Sequence, residues 1–264
     1  MALPKGYLDA KALDTFADVL RKIKQSSFDA MRIQPNDIVL DVGCGPATDT
    51  ISLGNLVGNL GRVVGVDYDI GMLGVANQRA EKLGMQGWVA HMQADATSLP
   101  YEDNYFDSCR SDRMFQHLRA PEKALSEMIR VTKPGGCIVV VDPDWGSFSV
   151  DCVNEDVDIE RRYARFVSSS ALHNGYSGRT LYRHFKQQNL NDIGFEVFPT
   201  AATRSELIRQ ATQADRTEQE AIYAGVLSEK QVKRLRESQL QADDDDTYFA
   251  TVNLVVMVGR KRRD

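Results

Sequence analysis

Apolar positions along the chain change period several times, and each change marks an element. Residues 8–31 (LDAKALDTFADVLRKIKQSSFDAM) repeat apolar side chains at roughly helical spacing, which predicts one or two amphipathic helices. QPND then breaks the pattern. IVLDVG at 38–43 is short, apolar and β-branched, the look of a strand buried on both faces. A helix is expected from about Thr48 to Val57, a second buried strand at 61–67 (GRVVGVD) and a glycine-closed helix at 69–84. Strands follow at 87–95 and 105–114, the second weaker in propensity. A helix at 120–136 is stopped by Pro-Gly-Gly, and CIVVVDPDW at 137–145 is the most apolar strand of the chain.

Residues 37–142 thus read β-α-β-α-β-β-α-β with short connections, which predicts a parallel, doubly wound α/β sheet. Such sheets bind ligands at the carboxyl ends of their strands. Beyond Trp145 the rhythm changes. Residues 150–192 read as helical, GFEVFPT (194–200) as a strand, and 203–241 as helical and charged. The terminal strand alternates from Tyr248 to Val258. The acid run Asp243–Asp246 is expected to be a solvated turn.

Totals narrow the function more than the fold. The 264 residues suit one elaborated α/β domain, and 42% hydrophobic residues supply a sizeable core. A net charge of −5 opposes binding nucleic acid over a broad phosphate-neutralising face. No apolar leader follows the start and no run approaches a membrane span, so a cytoplasmic protein is expected. Cys44, Cys109, Cys137 and Cys152 form no CxxC pair, so neither a metal site nor a disulfide framework is expected.

The chemistry is concentrated at the strand ends. In VLDVGCGPATDT, Asp41 precedes Gly43 and Gly45. Glycines there let the chain turn tightly and bring a ligand close to backbone N–H groups. A dinucleotide site would want Gly-x-Gly-x-x-Gly, and the third position is Thr48. An acid beside the turn suits a ligand carrying an ammonium or a sulfonium. Asp67 closes the second strand, where a carboxylate grips the hydroxyls of a ribose. Asp95, in QADATSLPYEDNYFD, closes the third, within reach of an adenine amino group.

Taken together, VLDVGCGPA, GVDYDIGML, ADATSLPYEDNYFD and RVTKPGG resemble the class I S-adenosylmethionine-dependent methyltransferases. The nearest likeness is to the small-molecule branch that includes the ubiquinone/menaquinone C-methyltransferases, over about residues 36–145 plus the last strand. The resemblance implies a Rossmann-like, seven-stranded sheet, mostly parallel with an antiparallel C-terminal strand. It implies an N-terminal helical lid at 1–35, a cofactor core at 36–145, and lid helices with the last two strands at 146–264, all in a single domain.

For the cofactor S-adenosylmethionine it places Asp41 under the methionine ammonium and Gly43, Cys44 and Gly45 along the backbone contact. Asp67 is placed on the ribose, and Tyr68 and Met72 on the adenine, Met72 having plain core packing as its alternative. Asp95 and the Ala96 N–H take the purine edge, and the Ser111 carbonyl reaches the ammonium. His117 is open between a base, a support for the methionine end and a structural histidine. Asp142 and Asp144 are open between a role near the acceptor and capping around Pro143. A small organic acceptor is expected under a lid holding Phe148, Tyr163, Phe166, His173, Tyr176, Tyr223 and Leu227, with plain packing of the lid helices on the core as the alternative for most of these side chains. Monomer and homodimer both stay open. A nicotinamide-dependent oxidoreductase and a cofactor-binding protein that transfers no methyl are the alternatives.

Overall fold

A computed structural model describes residue 10, residues 20–151 and residues 157–263. The first half of the expected N-terminal helix and Cys152 lie outside these. The second half is α1, Arg21–Met31. The core then runs β1 (Ile38–Val42), α2 (Thr48–Val57), β2 (Arg62–Asp67), α3 (Ile70–Lys82), β3 (Val89–Gln93) and β4 (Phe106–Asp112). It continues with a 3₁₀ turn (Phe115–His117), α4 (Pro121–Val131) and β5 (Thr132–Val150). After that come α5 (Val157–Phe166), α6 (Ser177–Gln187), β6 (Asn191–Ala202), α7 (Ser205–Ala211), α8 (Ala214–Tyr223), α9 (Glu229–Asp244) and β7 (Ala250–Arg260).

The sheet has seven strands in the order β3-β2-β1-β4-β5-β7-β6. The first five pair in parallel, and β7 runs antiparallel to both of its neighbours. Alternation explains how one sheet carries two layers. Val39, Val63, Val139 and Val141 face α1 and α2, where Ile23, Phe28, Met31, Leu53 and Val57 meet them. Leu40, Val64, Ile138 and Val140 face the other way, onto Leu125 and Met128 of α4 and Leu181 and Phe185 of α6. Each fully buried aliphatic side chain contributes about 1.5–3 kcal/mol, so a one-residue slip of any central strand would be prohibitive.

Three boundaries differ from the sequence expectation, each for a local reason. Helix α4 stops at Val131 instead of running to the glycines. Thr132 Oγ1 donates back to the Met128 carbonyl at 2.6 Å, and Thr132 already pairs with Phe106 of β4. Pro134 also disfavours helical backbone in the residue before it. Strand β5 runs past Trp145, because a bulge between Asp144 and Ser149 lets Phe148 and Val150 turn inward again. The charged stretch 203–241 divides into three helices. Gln213 takes φ +48 between α7 and α8, and Ser228 opens α9 with a capping box closed by Gln231. The acid run is not wholly solvated either: Asp243 caps α7, accepting from Ser205 N at 2.9 Å, and Asp246 pairs with Arg204. Among the described residues, no helix is long and apolar enough to cross a membrane.

Candidate active site

Strand order sets the site. Because β3, β2 and β1 are neighbours, Asp95, Asp67 and Asp41 come to lie in succession along one edge of the sheet. The loop after β1 takes left-handed backbone at Gly43 (φ +77), Gly45 (φ +52) and Ala47 (φ +70). At Gly43 a Cβ would fall 2.9 Å from the Met114 side chain, so only glycine lets the loop pack this closely under Met114. The third left-handed position is an alanine, which sequence reading missed. Its signal was the alternation itself, since the two glycines stand two residues apart and Ala47 is the next in step. Ala47→Gly should therefore raise stability by about 0.5–1 kcal/mol, the αL cost of alanine less the extra entropy of glycine, read from the urea midpoint.

The loop's N–H groups serve the protein. Gly43 N and Cys44 N donate to the Val66 carbonyl at 2.8 and 3.0 Å, and Gly45 N donates to Asp67 Oδ2 at 2.8 Å. Sequence reasoning had offered these N–H groups to a ligand; in the structure the protein itself takes them. Asp67 also accepts from Asp69 N at 2.9 Å, and burial raises its carboxyl above the usual range against those N–H groups. Tyr68 is half exposed beside it, while Met72 is buried. Asp95 lies on an exposed turn and accepts from Thr97 N and Oγ1, with Ala96 partly buried next to it. Ser111 is buried and its hydroxyl donates to the Val42 carbonyl at 2.8 Å. Cys44 packs inward, and burial pushes its thiol well above the usual range.

Under Asp41 lies a feature the sequence did not announce. Arg110 points into the layer between β4 and α1 with no solvent exposure. Its nitrogens donate to Ser27, Asp49 and Asp112, and its guanidinium sits 5.0 Å over the Phe28 ring. Burial opposes its charge, but Asp49, Asp112 and Asp41 together hold it charged. Burial alone would raise Asp112; Arg113, Arg110 and Lys24 hold it well below the usual carboxylate range.

The three candidate catalytic residues sit differently. His117 ends the 3₁₀ turn and is half-buried. Asp144 accepts from Arg179 Nε through both oxygens, at 2.8 and 2.9 Å. Asp142 is sealed, and neither of its oxygens makes a well-formed hydrogen bond, although the Ser177 hydroxyl and the Gln116 N–H face it. Burial first, then Asp112, push its carboxyl well above the usual range. An acid protonated in the fold but ionised in the open chain makes stability fall as pH rises from the unfolded value toward the folded one. Asp142→Asn should flatten that slope and raise stability at neutral pH by about 1–3 kcal/mol, with the gain vanishing near pH 4 in urea titrations. Beside Asp142, Gln116 is a third residue that sequence reading missed. It donates to the Arg113 carbonyl and accepts from Trp145 Nε1 at 2.8 Å, tying the loop after β4 to the end of β5. Among the described residues, no group of three or more His, Cys, Asp or Glu side chains is placed to hold a metal ion.

A family model described as "Methyltransferase domain" matches residues 33–238. The chain belongs to this methyltransferase family. The methyltransferase is 35% identical over 261 residues to a Streptomyces fradiae protein described as an uncharacterized 37.1 kDa protein in transposon TN4556, covering 97% of this chain and 70% of that one. It is 31% identical over 180 residues to the ubiquinone/menaquinone biosynthesis C-methyltransferase UbiE of Erwinia tasmaniensis, covering 66% of this chain and 72% of that one. Among solved structures it resembles the YcgJ protein of Bacillus subtilis, with a TM-score of 0.64 at 20% identity, covering 94% of this chain and 99% of that one. It also resembles the [4+2]-cyclase SpnF, with a TM-score of 0.58 at 18% identity, covering 92% and 81%. At those identities the structures speak for the fold alone. The methyltransferase is a class I, S-adenosylmethionine-dependent enzyme, and the nicotinamide alternative falls with the family match.

Proposed function

We propose that the enzyme methylates a small organic acceptor. The observation that carries this reading is the row of acids on adjacent strand tips, Asp41, Asp67 and Asp95, beside the left-handed turn at Gly43 and Gly45. Those residues fit the cofactor: Asp41 for the amine, Asp67 for the ribose hydroxyls, Tyr68 and Met72 for the adenine faces, and Asp95 with Ala96 for the purine edge. Ser111 keeps β4 registered beside β1 through Val42, and its carbonyl is the group we assign to the amine. When bound, the cofactor supplies a methyl group on a sulfonium.

The chain's task is then to hold the acceptor in line and keep water out. His117, half-buried at the end of the 3₁₀ turn, is the residue we assign to taking a proton from an acidic acceptor. Asp144 serves by tethering Arg179 of α6 to the end of β5, and Asp142 by its place beneath that end. Relatives named as quinone-pathway C-methyltransferases support an aromatic or enolic carbon acceptor over an amine.

The test is turnover. The enzyme, labelled cofactor and a panel of phenols, quinols, enolic carbons and amines are incubated, and methylated product is read by mass. Product from the phenol, quinol or enol classes that falls about tenfold or more in His117→Ala is the expected result. Bound cofactor without product from any class would point to the non-transferring alternative.

A further inference from the structure

The charged side chains around Asp41 are unevenly satisfied. Arg110 spends each nitrogen elsewhere: Nε on Ser27 Oγ at 3.0 Å, Nη1 on Asp49 Oδ2 at 2.8 Å, and Nη2 on Asp112 Oδ2 at 3.0 Å. Lys24 Nζ lies 2.5 Å from Asp49 Oδ1 and 3.6 Å from Asp112 Oδ2. Arg113 Nε adds a contact to Asp112 at 3.1 Å. Asp49 and Asp112 therefore each meet two cations or more. Among the described residues Asp41 meets only Arg110 Nη1, at 3.6 Å, which is ion-pair range but beyond a hydrogen bond. Its side chain is 2% exposed. A buried carboxylate placed so has two ways to lower its energy, a proton or a further cation.

We propose that Asp41 holds a proton in the cofactor-free enzyme and releases it to solvent when the cofactor's ammonium binds, and that Lys24 and Arg110 create this state by committing their charge to Asp49 and Asp112. The inference rests on the assignment of Asp41 to the amine made above. It makes α1 part of the cofactor seat: Lys24 and Ser27, both on that helix, act as positioning residues through Asp49 and Arg110 without touching the ligand.

Charged groups face Asp41 from each element packed on it, namely Arg110 and Asp112 on β4, Asp49 on α2 and Lys24 on α1. Burial raises the carboxyl to about 7, Arg110 and Lys24 oppose this, and Asp49 and Asp112 add to it. The exchange therefore falls near neutrality. Cys44 stays a neutral thiol there.

The experiment is calorimetric titration of the full chain with S-adenosylhomocysteine in buffers of different ionisation enthalpy, between about pH 5.5 and 7.5, where the ligand's amine stays charged. 5′-Methylthioadenosine, which keeps the adenosine and thioether but lacks the amine, is the second probe. S-adenosylhomocysteine should release about half a proton per site at pH 7 and more below it, its affinity falling up to tenfold per pH unit on the acid side. Methylthioadenosine should release none, with a flat affinity. Lys24→Met should move the S-adenosylhomocysteine profile to higher pH and leave methylthioadenosine unchanged. Lys22→Met, on the exposed side of α1, should change the binding of neither probe. Binding of S-adenosylhomocysteine without proton release, or with release equal to that of methylthioadenosine, overturns the proposal in the wild-type protein alone. An unmoved profile in Lys24→Met removes Lys24 from it. Failure of both probes to bind would strike the cofactor assignment itself and is thereby told apart.

Discussion

Asp67→Ala is expected to weaken S-adenosylhomocysteine binding by about a hundredfold, the equivalent of roughly two charge-assisted hydrogen bonds. The carboxylate has two tasks. On the assignment proposed above it offers lone pairs to the ribose hydroxyls, and it holds the glycine loop through Gly45 N and the start of α3 through Asp69 N. Alanine removes the first task and loosens the second. Asp67→Asn keeps the shape but turns an amide N–H₂ toward a backbone N–H, so it should recover only part of the affinity. Calorimetry reads the loss, and thermal melting of the same variants separates a weaker site from a weaker fold. Wild-type affinity in Asp67→Ala would move the cofactor away from these strand tips.

Arg110→Met should destabilise the fold by about 3–5 kcal/mol, because removing one partner of a buried ion cluster leaves its carboxylates without compensation. For a chain of this size that is a fall in melting temperature of roughly 10 °C. Lysine should rescue little, since a point charge cannot fork to Ser27, Asp49 and Asp112 at once. The sign with pH is fixed by Asp112. Its carboxyl is held below the usual range, so its contribution is present above the unfolded value and fades as pH falls through the folded one. The gap between wild type and Arg110→Met should therefore be widest at neutral pH and narrow in acid. Urea titrations at several pH values would show this, and a gap that widens in acid would contradict the cluster.

How much of this was legible in the chain follows from how local each signal is. IVLDVG, GRVVGVD and CIVVVDPDW announce buried strands because their apolar runs are continuous, and the glycines and acids at their ends announce the site. Arg110 was hidden because its meaning is long-range. In YFDSCRSDRM it reads as an ordinary polar residue in a weak strand, and the groups that make it a core residue, Ser27 and Asp49, stand 83 and 61 positions away. Gln116 was hidden in the same way, its Trp145 partner lying on another strand. The early stop of α4 and the late end of β5 were missed because pairing with neighbouring strands, not local propensity, fixes both.

The antiparallel β7 sits between β5 and β6 and bonds to both. On the ribosome β6 would emerge long before it had anything to lean on, and the half-built sheet would show a sticky flank until residues 250–260 arrived to bridge it. Assembly of this enzyme is thus gated by its last strand, and chaperones that shelter exposed sheet flanks have their opening in that interval.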